Sequence, residues 1–380
     1  MRILVGLSGG VDSAVAAYIL KQQGHDVTCA FMRNWDAYAN NDILGNPTGG
    51  LDDICPQEED YLDAKKVADK LGLPLLRVDF VKEYWDDVFS VFLEETKKGR
   101  TPNPDILCNR HIKFNAFFKY AKSLGFDWVA TGHYARVLHQ EGNNSVMLKG
   151  LDVNKDQTYF LVQVPQEALN HTLFPVGELN KAEVRKIALE LDLAVAQKKD
   201  STGICFIGER HFREFLHNYI PKTPGNIVDI DTGNTVGEHH GVMFYTLGQR
   251  KGMGIGGVEG PWFVVHKDLQ SNTLYVGAKE DNDWLKTDEC RISRINWFGE
   301  LPKGEYSCTA KFRYRQKDHP VTIRFEDGSL IVTYVYSIAS VTPGQEAVFY
   351  EGDVCLGGGV IEETFRNGLT MSERLSRGKL

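Results

Sequence analysis

Three short stretches hold residues able to do chemistry. The first, Gly6-Leu7-Ser8-Gly9-Gly10-Val11-Asp12-Ser13, follows the apolar run Ile3 to Leu7 and leads into Ala14 to Leu20. Adjacent glycines let backbone N–H groups approach an anion, and the helix start that follows adds unpaired donors and a positive dipole end. This is a phosphate-holding turn without the lysine of Gly-x-x-x-x-Gly-Lys-Ser/Thr loops; it offers the Ser8 and Ser13 hydroxyls instead. The second stretch is Gly99-Arg100-Thr101-Pro102-Asn103-Pro104-Asp105-Ile106-Leu107-Cys108-Asn109. Its prolines force Thr101 and Asn103 into extended conformations. A helix beginning near Asp105 puts that carboxylate and the Cys108 thiol on one side of its first turn. The helix start favours thiolate and Asp105 opposes it. The same spacing suits a capping Asp followed by a buried Cys, and spacing alone does not choose. The third stretch, Asp200-Ser201-Thr202-Gly203-Ile204-Cys205-Phe206-Ile207-Gly208, brackets Cys205 with glycines after Lys198-Lys199. Nearby positive charge favours a thiolate there; taken by itself, the residue reads as buried and inert.

These stretches need elements to position them. A second strand is expected over Asp26 to Met32, a helix with Tyr61, Ala64, Val67, Ala68 and Leu71 on one face, a third strand over Pro74 to Phe80, and a helix whose Trp85, Val88, Phe89 and Phe92 form a core stripe. Ile112 to Leu124 reads as helix and Asp127 to Thr131 as a fourth strand ending in Gly132-His133-Tyr134. Alternating strands and helices predict an α/β unit with a parallel sheet, and a nucleotide belongs at the carboxyl ends of its strands. Met32 and Gly132 lie just past such ends. Asn180-Lys181-Ala182-Glu183 has capping-box spacing, and Glu209 to Tyr219 reads as a helix. Past Pro221 short runs such as Val242 to Leu247, Trp262 to His266 and Thr273 to Val276 suggest small all-β units. The division expected is 1–212, 213–283, 284–365 and a loosely held basic tail, 366–380. Asn40 to Asp52 reads as a surface loop. Gly252-Met253-Gly254-Ile255-Gly256-Gly257 satisfies a dinucleotide pattern but is followed by strand-like residues, so a flexible basic loop is the better reading.

The chain has 380 residues, a formal net charge of −8 and seven cysteines. The length suits two or three domains, and the charge disfavours indiscriminate nucleic-acid binding through a bulk field. No Cys-x-x-Cys pair occurs, so neither a zinc ribbon nor a disulfide scaffold is indicated and no metal site is expected. No apolar run approaches the roughly 20 residues that cross a bilayer. With the first strand starting almost at once, a cytoplasmic location and no membrane partner are expected. Lys311, Arg313, Arg315 and Lys317 alternate along a strand-like run, which would put all four on one face for phosphate contact or for solvation.

The glycine loop resembles that of enzymes that split ATP into AMP and pyrophosphate. Together with Phe31-Met32-Arg33-Asn34-Trp35, Thr101 to Asn109, Ala130-Thr131-Gly132-His133-Tyr134-Ala135-Arg136, Lys155-Asp156-Gln157, Gly203 to Gly208 and Tyr245-Thr246-Leu247-Gly248-Gln249-Arg250, the chain resembles the tRNA-specific 2-thiouridylases from about residue 3 to about residue 361. The two cysteine motifs in this order are specific to that family. The Asn40 to Asp52 loop looks longer than usual, and Arg110-His111 stands where Lys-Glu or Lys-His is often seen.

The resemblance implies an adenine nucleotide α-hydrolase-like domain followed by two small β domains. It implies sulfur transfer to C2 of uridine 34 in lysine, glutamate and glutamine tRNAs, with ATP accompanied by Mg2+ and a cysteine desulfurase or sulfur-relay carrier as donor. Gly6, Leu7, Ser8, Gly9, Gly10, Val11, Asp12, Ser13, Met32 and Gly132 would bind ATP. Asn103, Pro104 and Asp105 would meet the base, with Cys108 as nucleophile, Cys205 as persulfide carrier and Asp105 in proton transfer. His133, Lys155, Asp156, Gln157, Arg313, Tyr314 and Gln345 would contact tRNA. Two other readings stay open on the sequence: an adenylating ligase acting on a small molecule, and an RNA-binding protein with a vestigial nucleotide site.

Overall fold

The computed structural model describes residues 1–37, 39–42, 56–140, 142, 144–200, 212–255, 261–279 and 282–378. Ile3, Leu4 and Val5 of strand β1 (Arg2–Gly6) are wholly buried, as a central parallel strand requires when helices cover both its faces. β2 (Asp26–Arg33) and β3 (Leu75–Asp79) add on one side of β1; β4 (Trp128–Ala130) and, near the end of the unit, β7 (Thr172–Leu173) add on the other, in the order β3-β2-β1-β4-β7, all parallel. The direction of growth reverses between β2 and β4, so the crevice beyond the carboxyl ends of β1 and β4 is the topological switch point. Side chains alternate across the sheet. Ile3, Val5, Cys29 and Phe31 pack with helices α1 (Val11–Gln22) and α2 (Pro56–Leu71), while Leu4, Ala30 and Met32 pack with the aromatic residues of 81–97 and with 104–123. The stripe of Val88, Phe89 and Phe92 is core, as its periodicity predicts.

The hairpin β5 (Ala135–Leu138) and β6 (Val146–Lys149) leaves the parallel sheet. The central unit is a four-stranded sheet of β8 (Gly225–Asp229), β9 (Thr235–His239), β10 (Trp262–Asp268) and β11 (Thr273–Ala278). β12 (Lys286–Trp297), β13 (Glu305–Lys311), β14 (His319–Glu326), β15 (Ser329–Ala339), β16 (Glu346–Glu351) and β17 (Val354–Phe365) form a barrel closed by the β12–β17 pairing. β6 pairs with β17, Leu148 opposite Val354, so the first unit's hairpin extends the barrel's sheet. Met147, Tyr159 and Val162 accordingly share one core with Val348, Tyr350 and Cys355. The α/β unit followed by two β units is the fold class expected.

Several local expectations fail for identifiable reasons. Val242 to Leu247 is no strand: Val242–Phe244 is a 3-10 turn after Gly241 at φ 140°, and Val242 is buried in the central unit's core. Lys311, Arg313, Arg315 and Lys317 share no face, because β13 ends at Lys311 and the Gln316 side chain accepts from the Phe312 N–H to form a turn. The tail is not loose: Met371–Ser376 is a helix whose buried Arg374 donates to the carbonyls of Asp283, Trp284 and Lys286. Asn40 and Asp42, at the start of the expected surface loop, are buried, with the Trp35 indole donating to Asp42 Oδ2 at 3.0 Å. Residues 43–52 lie outside the described residues. Met253 of the glycine-rich decoy is buried in the central core, and the Gly252 carbonyl accepts from Arg213.

Candidate active site

At the switch point, Gly9 sits at φ 78° with its α-carbon pressed against α2; a Cβ there would lie 2.3 Å from the Asp60 carbonyl oxygen. Gly10 is the N-cap of α1, and no side chain caps the helix. Its leading N–H groups are therefore available to an external anion. Ser13 Oγ donates to the Gly10 carbonyl at 3.1 Å and accepts from the Ser8 N–H at 3.2 Å, bracing the turn from inside. Leu7 and Val11 are buried anchors. Gly132 lies flat on the first turn, where a Cβ would stand 2.5 Å from the Ser13 nitrogen, and a Cβ at Gly6 would meet Met32 Cε at 3.1 Å. Met32 and Gly132 thus border the loop. The uncapped helix start and its glycine-lined approach can accept an anion.

Charged groups fix this loop to the segment that leads towards Cys205. Lys198 Nζ donates to the Gly9 carbonyl at 3.1 Å and to Asp60 and Asp63 at 2.8 Å each. Lys181 Nζ is 2.8 Å from both Asp12 oxygens and 2.7 Å from Asp200 Oδ1. Asp200 also accepts from Lys155 at 2.6 Å and Arg185 at 3.0 Å. Burial pushes the Asp200 carboxyl up, but the hydrogen bonds from Lys155 and Lys181 outweigh it and hold it down to about 2. Cys205 itself lies outside the described residues.

Cys108 is wholly buried at the end of the short helix Pro104–Cys108. Asn103 caps that helix, its side chain accepting from the Asp105 N–H at 3.0 Å and the Ile106 N–H at 3.4 Å, with Pro104 preset for the first position. Asp105 is half-buried in the first turn. The helix continues as a π-helical stretch, Asn109–Ala116, kinked at Phe114, and then as Phe117–Ser123. Phe117 stands 3.7 Å from a Cβ at Gly6, so one helical run joins Cys108 to the glycine loop over a rise of roughly 13 Å. The barrel holds the entry to this run: the Thr101 N–H donates to the Pro343 carbonyl at 3.0 Å, and Gln345 Nε2 donates to the Thr101 carbonyl at 2.6 Å.

The residues expected at tRNA fall into two groups. Lys155 is partly exposed, whereas Asp156 is buried and accepts from the Gly150 N–H and from Thr158. Gln157 Oε1 accepts from the Tyr134 N–H at 2.9 Å. His133 is buried with Nδ1 2.7 Å from Thr131 Oγ1; burial, with Lys113 beside it, keeps its ring well below the usual imidazole range. Arg313 donates to the Leu247 carbonyl and Thr342 Oγ1, and Tyr314 packs on Phe160 at 4.4 Å between ring centroids. Phe160 in turn accepts, through its carbonyl, from Asn109 beside Cys108. Sequence reasoning gave Lys181 and Asp200 no role at this loop. The capping box located the start of the Lys181–Glu190 helix, but nothing in one dimension says which loop that start faces.

Three family models match along the chain: a tRNA methyl transferase HUP domain over residues 1–209, a tRNA methyl transferase PRC-barrel domain over 213–278 and an aminomethyltransferase beta-barrel domain over 287–361. The tRNA-specific 2-thiouridylase MnmA of Mycoplasma capricolum subsp. capricolum is 53% identical over 373 residues, 96% of this chain and 99% of that protein. That of Lysinibacillus sphaericus is 51% identical over 97% of this chain and 96% of its own length, and that of Acholeplasma laidlawii 53% identical over 97% and 98%. Among solved structures, a 4-thiouridine synthetase–RNA complex with bound ATP covers 55% of this chain and 46% of its own at 16% identity and a TM-score of 0.32, too slight a likeness to bear on function. The domain descriptions speak of methyl transfer and the relatives of thiolation, but only the relatives compare whole chain with whole chain. Sharing more than half its residues with such relatives over nearly its full length, the chain belongs to the tRNA-specific 2-thiouridylase family.

Proposed function

We propose that this enzyme thiolates C2 of the wobble uridine, position 34, in lysine, glutamate and glutamine tRNAs, using ATP and a cysteine persulfide and releasing AMP and pyrophosphate. The observation that supports this reading is the helical run with Cys108 at one end and Phe117 against the glycine loop at the other, which ties the thiol's position to that of the loop. A uracil C2 oxygen is a poor leaving group. Adenylation turns it into one: the uridine O2–phosphorus bond forms, the bond from the α-phosphorus to pyrophosphate breaks, and the N3 proton passes to Asp105. Gly6 to Ser13, with Met32 and Gly132 at the border, hold the nucleotide. Magnesium would travel with the phosphates, since among the described residues no three His, Cys, Asp or Glu side chains gather to hold an ion alone.

Cys205 receives the sulfane sulfur from a cysteine desulfurase or a relay carrier. The C2–sulfur bond forms, AMP leaves with the old oxygen, and cleavage of the S–S bond by the Cys108 thiolate leaves the two cysteines as a disulfide that an external thiol reduces. Lys155, Arg313, Tyr314, Gln345, the central unit 213–283 and His133 serve the tRNA. Asp156, Gln157, Arg313 and Gln345 act by holding the backbone of that surface, since each side chain is engaged with backbone groups. The uridine leaves its anticodon stack to reach a buried thiol. No helix among the described residues is long and apolar enough to cross a membrane.

The test is reaction of the full-length enzyme with ATP, tRNA and a persulfide donor, followed by mass spectrometry of the digested tRNA. 2-Thiouridine at position 34 with AMP in equal amount is the expected result. Pyrophosphate release that needs a small-molecule acceptor and ignores tRNA would overturn it in favour of an adenylating ligase.

A further inference from the structure

Asn109 follows Cys108 directly, and its N–H donates to the Asp105 carbonyl, so α-helical spacing holds across this turn. Residues three and four apart share one side of such a turn, which puts Asp105, Cys108 and Asn109 on a common face. The Asn109 side chain is only 2% exposed. Its Nδ2 donates to the Phe160 carbonyl at 2.8 Å, and that bond fixes which way the amide points. The oxygen is the end left over. Oδ1 is buried and accepts from no group among the described residues. Leaving a buried acceptor open costs about 1–3 kcal/mol, and buried amides are as a rule satisfied. Thr101 Oγ1, at the head of the same stretch, is a second buried polar atom without a partner among the described residues. Open polar atoms beside a wholly buried thiol are what a site for a polar ligand leaves before the ligand arrives.

On the reading that Cys108 serves thiolation of a uridine at C2, we propose that Asn109 selects the base, its Oδ1 accepting the N3–H of the uracil. Uracil carries one ring N–H on its pairing edge, at N3, whereas cytosine carries an acceptor there. N3 is bonded to C2, so the group that meets N3–H stands next to the carbon that sulfur must reach, as Asn109 stands next to Cys108. A neutral amide oxygen orients the N–H without taking its proton. The Asp105 carboxylate, on the same face, takes that proton when O2 is adenylated. Uracil relieves the open acceptor. Cytosine leaves it open and opposes it with the N3 lone pair, so the site rejects the wrong base by more than shape. The Phe160 carbonyl that holds the amide belongs to a residue whose ring packs on Tyr314 at 4.4 Å, which ties the orientation of the selecting group to the barrel.

The test compares full-length tRNA transcripts that differ only in U34 or C34, titrated against the full-length protein. The unaltered protein is expected to bind the U34 transcript about tenfold or more tightly than the C34 transcript. Asn109→Leu should bring that ratio within about threefold. Asn109→Asp, which keeps an acceptor oxygen and, when protonated, a donor to the Phe160 carbonyl, should retain the preference. Asn109→Ala replaces Asn109→Leu if thermal melting shows that variant unfolded. A full U34 preference in a folded variant without the amide overturns the proposal and marks Asn109 as a support for the Phe160 segment, and absence of any preference in the unaltered protein overturns it too. If the unaltered enzyme forms no 2-thiouridine with ATP and a persulfide donor, the thiolation reading itself fails. If it forms 2-thiouridine while loss of the amide leaves the ratio intact, only the role of Asn109 fails.

Discussion

The side-chain amide of Gln345, in the barrel, donates to the carbonyl of Thr101 at 2.6 Å, across 244 residues of chain. Beside it Gly344, at φ 94°, lies so close that a Cβ would stand 2.7 Å from the Thr101 nitrogen. Arg100 adds a bond to the Ile361 carbonyl and an ion pair with Glu362. The barrel is thus the abutment against which the stiff Pro102–Pro104 segment is set, and that segment decides where Asp105 and Cys108 begin.

Gly344→Val should test this coupling. The branched side chain is strained at a positive φ and meets backbone that cannot yield, a combination that costs about 2 kcal/mol or more. The expected outcome is a thiolation rate at least about tenfold lower, with ATP affinity unchanged because the nucleotide loop hangs on the parallel sheet. Wild-type thiolation by this variant would show that the barrel does not set the Cys108 helix.

Cys108→Ser and Cys205→Ser should each abolish 2-thiouridine formation, read by mass spectrometry of tRNA, while leaving tRNA affinity within about threefold. Cys108 is wholly buried, so the near-isosteric serine is the appropriate replacement and melting temperature should hold within a few degrees. Thiolation retained in either variant would remove the two-cysteine scheme.

Gly132→Val should block the phosphate cradle directly. Its Cβ would lie 2.5 Å from the Ser13 nitrogen, on the side where leading N–H groups of α1 are available. A loss of ATP affinity of at least about tenfold is expected in calorimetric titration, together with some loss of stability.

Glu346 supplies a pH signature. Its carboxyl is buried, and burial pushes it up to about 8 against the pull of Arg294 and Arg110. In the unfolded chain it ionises near the ordinary glutamate value of about 4.3. Between those values the folded state holds a proton that the unfolded state has released, so the stabilisation is complete below the lower value and is lost as pH rises through the upper. Glu346→Gln keeps the neutral shape and should flatten that fall, raising the melting temperature at pH 8 by about 2 °C or more relative to the unaltered protein, with little difference at pH 4. Equal differences at both values would count against a neutral Glu346.

The chemistry-bearing stretches, the strand–turn–helix around Gly6 to Ser13 and the parallel sheet were legible in the sequence because each is written locally: a glycine pair before a helix, a two-residue alternation, prolines ahead of Asp105 and Cys108. Lys155, Lys181 and Asp200 were legible only as separate residues. The chain of contacts from Lys155 to Asp200 to Lys181 to Asp12 depends on how the Lys181–Glu190 helix packs against α1, which no local pattern encodes. The same holds for β6 joining β17 and for Gln345 reaching Thr101, since pairings across such separations follow from the whole hydrophobic arrangement. The alternation of Lys311 to Lys317 misled because a strand can end in the middle of a periodic run, and a side-chain turn through Gln316 ended this one. The sequence by itself determined which groups are available and what each can do; the tertiary structure decided which of them meet, because the meeting distances are set by packing between elements far apart in the chain.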